Sequence, residues 1–113
     1  MRCHGAVASK ASGDEARTAA VLDDYRTAPI GEGLRATLAL LEKLTLTPDE
    51  VTPADVDAVR AHGVSDEAIE DAMYVVYLFA MFNRVSDTLG FAVPTDPAIY
   101  RTMARMLLLV GYD

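Results

Sequence analysis

The chain has 113 residues, 51% of them hydrophobic, and carries 17 Asp and Glu against 10 Lys and Arg, for a formal net charge of −7. This length suits one domain, 1–113, with one core. The acidic balance argues against nucleic acid or an anionic membrane surface as a partner, and no apolar run reaches the ~20 residues that a spanning helix needs. The N-terminus lacks the apolar stretch of a signal peptide, and the one cysteine, Cys3, cannot close an intrachain disulfide, so the expectation is a cytoplasmic protein.

In chain order, Met1 to Ala11 is rich in small residues and predicts a short helix ended by Gly13. Asp14 is a suitable N-cap for a second helix to about Arg26, with Ala16, Ala19, Ala20 and Val21 facing a core. A third helix starts between Ile30 and Leu34, with Leu34, Leu38, Leu41 and Leu44 inward and Glu42 and Lys43 outward, and Pro48 interrupts it. Thr52-Pro53-Ala54-Asp55 has the form of a capping box with proline at the first helical position, opening a helix to about His62 that stops at Gly63.

The central helix is expected from about Asp66 to Leu89, with Ser65 as N-cap and Gly90 as C-terminal cap. From Ala72 to Phe82 every residue is apolar or aromatic, and an apolar run of that length leaves no polar face at 3.6 residues per turn. Such a helix is expected to be buried all round. Asp96-Pro97 opens the last helix, with Ile99, Met103, Met106, Leu107 and Val110 inward. No segment has the period-two alternation of a strand, so the fold class is all-α. Apolar surface beyond what a small domain can bury points to a homo-oligomer.

Leu41-Glu42-Lys43-Leu44-Thr45 is followed by Val51-Thr52 with Asp55 and Val56, by Arg60, Gly63, Ser65-Asp66 and Ile69, and by Phe82-Asn83-Arg84 with Asp87, Leu89 and Gly90. In this order the motifs resemble the later part of the carboxymuconolactone decarboxylase and alkylhydroperoxidase AhpD-like family, above all its peroxidase-related branch. Tyr100, Ala104-Arg105 and Gly111-Tyr112 are similar to the tail of that branch. The resemblance implies an AhpD-like helical array, assembly as an oligomer, and thiol-dependent peroxide reduction, an antioxidant oxidoreductase activity served by a thiol reductant and no cofactor.

In that branch the chemistry belongs to a Cys-x-x-Cys-x-x-x-His motif on a helix. Two thiols one turn apart can cycle through a disulfide, and a histidine four residues after the second cysteine shares its face and can take its proton. His4-Gly5-Ala6-Val7-Ala8 resembles the end of this motif, which places the second cysteine immediately before Met1, so that the chain lacks the family's usual N-terminal part. The alternative register makes Cys3 the second cysteine and puts Val7 at the histidine position. Cys3 and His4 are the candidate catalytic residues; neighbours on a helix diverge by about 100°, so the two do not share a face.

Asn83, Arg84 and Asp87 form a polar cluster that either pairs along the helix end as structure or lines a pocket. His62 suits the negative end of a helix dipole, and the two histidines, far apart in sequence, make no metal site. Tyr74 and Tyr77 are core residues or present hydroxyls into a cavity. Two alternatives stand beside the peroxidase reading: a non-catalytic helical oligomer or small-molecule-binding module on the same scaffold, and a decarboxylase-type enzyme.

Overall fold

The computed structural model describes residues 2–111, with side chains from His4 onward. All its regular structure is helical, and the fold class is all-α: α1 (Arg2–Ser12), α2 (Glu15–Asp24), α3 (Glu32–Leu46), a 3-10 turn at Pro48–Glu50, α4 (Pro53–Arg60), α5 (Asp66–Leu89) and α6 (Pro97–Val110).

The helix ends lie where the local chemistry predicts. Asp14 accepts from the Arg17 N–H at 2.8 Å, Ser65 from the Ala68 N–H at 3.2 Å, and Asp96 from the Ala98 N–H at 2.8 Å, each satisfying a donor that its helix cannot. Proline opens both α4 and α6. α5 closes through Gly90 at φ +65°, where the Gly90 N–H reaches the Asp87 carbonyl and the Phe91 N–H the Ser86 carbonyl. That pair of bonds is a Schellman closure, and its left-handed residue strongly favours glycine.

The chain falls into two compact units. Gly31–Phe91 form one of them, with α3 packed on α4 and α5 and with α4 also meeting α5. Its core is Leu40, Val59 and Ile69, flanked by Ala36, Val51, Val56 and Val64. The other unit takes the residues up to Ile30 and those from Ala92, with α1 packed against α2 and α6. Small residues allow this approach. A Cβ added to Gly5 would stand 3.1 Å from Leu22 Cδ1, and Ala104 on α6 is 1% exposed.

The buried faces differ from the expected ones. α5 has the predicted limits, yet Ile69 is its only buried residue among those described. Tyr74, Tyr77, Leu78 and Phe82 are 60–73% exposed, so the helix expected to be buried all round is covered on the side of Ile69, Ala72 and Val76 and presents a broad apolar face. On α3 the buried residues are Thr37 and Leu40, whereas Leu34 is exposed and Leu38, Leu41 and Leu44 are half-buried, because Val59 and Ile69 gather on the Leu40 side. On α6 the buried positions are Tyr100 and Ala104, one residue along from the expected Ile99 and Met103, which are exposed. α2 buries none of its residues, and Ala16 and Ala19 are exposed.

Candidate functional site

The expected site residues fall on two elements. His4 lies exposed in the first turn of α1; Cys3 is in the same turn, and its side chain is outside the described residues, as is Tyr112. Asn83, Arg84 and Asp87 are exposed on the last two turns of α5. Among the described residues no side-chain hydrogen bond or ion pair joins these three, so the pairing expected along this face is not made. The α1 stretch after His4 has a packing role of its own, since Gly5 and Ala6 border the cleft formed with α2 and α6.

Within the Gly31–Phe91 unit an open groove of about 710 Å³ runs along α5, walled on the other side by Leu44, Thr45 and Pro48. Met73, Tyr74, Tyr77 and Ala80 form its floor, with Glu70 at one end and Arg84 at the other. The Tyr74 hydroxyl donates to Glu70 Oε1 at 3.2 Å. Tyr74 and Tyr77 are therefore groove residues and not core. Sequence periodicity contained the signal: residues 70, 73, 77, 80 and 84 follow the three-four spacing of one helix stripe.

Two charged clusters tie α3, α4 and α5 together; their local parts, the Thr52–Asp55 cap and the Asp57–Arg60 pair, are legible in sequence, but the bonds of Lys43 to Asp55 and of Arg60 to Asp66 are not. Lys43 Nζ donates to both Asp55 oxygens, at 2.8 and 2.9 Å, so Lys43 is drawn to α4 and does not point outward. Asp55 also accepts from the Thr52 N–H at 2.8 Å and from its hydroxyl at 3.0 Å. The Lys43 bond first, and then the Thr52 N–H, lower the Asp55 carboxyl to about 2. Arg60 spans Asp57, at 2.8 Å, and Asp66, at 2.6 Å, tying the end of α4 to the start of α5 and holding the Asp66 carboxyl below its ordinary range. His62 is exposed in the turn between them.

Among the described residues no three His, Cys, Asp or Glu side chains gather closely enough to hold a metal ion, and no helix is long and apolar enough to cross a membrane. No protein-family model matches the chain, and no curated protein is similar to it.

Proposed function

We propose that the chain is an AhpD-like, peroxidase-related subunit, cytoplasmic and homo-oligomeric, whose chemistry is the thiol-dependent reduction of peroxides. One observation supports the scaffold half of this reading. The residues that carry the resemblance sit at the joints of the Gly31–Phe91 unit: Lys43 and Thr52 on Asp55, Arg60 on Asp66, Ser65 capping α5 and Gly90 closing it. A motif set that builds helix junctions is what a shared scaffold would retain.

The chemical half rests on Cys3 and His4 in α1. The Cys3 thiolate attacks one peroxide oxygen and becomes a sulfenic acid, while the O–O bond breaks and the leaving alkoxide takes a proton to become an alcohol. A dithiol reductant then restores the thiol, releasing water and leaving as its own disulfide. The test is peroxide consumption by the intact chain with an added dithiol. Loss of consumption in Cys3→Ser is the expected result, and an equal rate in that variant overturns the assignment to Cys3.

A second reading, the same scaffold as a helical oligomer without thiol chemistry, is favoured by the apolar face of α5. It predicts a stable oligomer with no peroxide consumption above the dithiol control.

A further inference from the structure

The groove side of α5 has an internal symmetry. Taking Tyr77 as centre, Glu70 and Arg84 lie seven residues before and after it, with Met73 and Tyr74 on one side and Ala80 and Met81 on the other. At 100° per residue all of these fall within about 60° of the Tyr77 direction, so they form one stripe. Tyr74 and Tyr77 are 60% and 62% exposed, and both terminal charges are exposed. Arg84 has no hydrogen bond or ion pair among the described residues.

We propose that this stripe is the contact between two copies of the chain, with α5 packed antiparallel on its two-fold mate about Tyr77. The inference rests on the oligomeric reading above and deepens it by naming surface and register. In this arrangement each residue meets the one equally far from Tyr77 on the other helix. Glu70 of each copy then faces Arg84 of the other, Tyr74 faces the small Ala80 and Met73 faces Met81, so opposite charges meet at both ends and apolar side chains meet between them. A parallel pairing would instead set Glu70 on Glu70 and Arg84 on Arg84.

The contact stripe from Glu70 to Arg84 runs about 21 Å along α5, roughly four turns of the helix. The groove wall at Leu44 and Pro48 flanks it.

Charge reversal tests the register. Within one chain Glu70 and Arg84 are about 21 Å apart along the helix, so they do not pair with each other. Sedimentation equilibrium of the intact chain should give an oligomer whose dissociation constant rises roughly tenfold in Glu70→Arg and in Arg84→Glu, and returns to near its original value in the double variant. Circular dichroism should confirm unchanged helicity. On a Cys3→Ser background, Tyr77→Cys should form an interchain disulfide under mild oxidation, because the two copies of residue 77 meet at the axis.

An oligomer insensitive to both reversals, or not rescued in the double variant, overturns the register while leaving the oligomeric reading in place. A monomer at high concentration overturns both. A monomer whose melting temperature rises with hydrophobic small acids assigns the groove to a small molecule and likewise overturns the proposal.

Discussion

Lys43 and Asp55 join α3 to α4 through two hydrogen bonds of 2.8 and 2.9 Å, and the same carboxylate holds the Thr52 N–H at the start of α4. One side chain thus caps a helix and fastens it to its neighbour. An isolated surface ion pair contributes little, but here charge, cap and helix contact coincide, and the ionised form is favoured by each partner.

Asp55→Asn should lower the melting temperature at pH 7. The carboxyl is lowered from 3.8 to about 2 in the fold, so its stabilisation is complete above about 4 and is lost as pH falls through about 2. The difference in melting temperature between wild type and variant should therefore narrow across that window. A difference independent of pH would show that the ionised carboxylate is not the source.

The two apolar groups of α5 should respond unequally to truncation. Ile69 is 4% exposed and belongs to the Leu40 and Val59 core, so Ile69→Ala should cost about 2–5 kcal/mol in denaturant unfolding. Phe79 is 38% exposed, and Phe79→Ala measured at concentrations where the chain is monomeric should cost less. The reverse order would restore the buried central helix that the sequence predicts.

Ala104 is 1% exposed on α6, which packs against α1. Ala104→Leu should destabilise by about 1–3 kcal/mol through overpacking, seen as a lower denaturant midpoint. Leucine at the exposed Arg101 should have little effect on that midpoint.

Ser65 accepts the Ala68 N–H at the start of α5, and Ser65→Ala should cost about 0.5–2 kcal/mol, whereas Ser65→Asp should keep the cap and suit the helix dipole. Equal losses in both variants, measured by thermal unfolding, would show that the side-chain acceptor is not what matters.

The helices and their ends are set by local chemistry. Asp14, Ser65, Asp96, Pro53, Pro97 and Gly90 act through bonds and dihedral limits within a few residues of themselves, so reading their neighbours is enough to place α2, α4, α5 and α6. Of the candidate site, the stripe from Glu70 to Arg84 was legible as helical spacing, although the apolar run around it pointed to a core. Which faces are covered is set by packing between helices. Burial of Leu40 and not Leu34, of Tyr100 and Ala104 and not Ile99 and Met103, depends on where α4, α5 and α1 approach. Contacts between helices distant in sequence leave no local periodicity to mark them, and an apolar run looks the same whether its partner is another helix of the chain or a second copy.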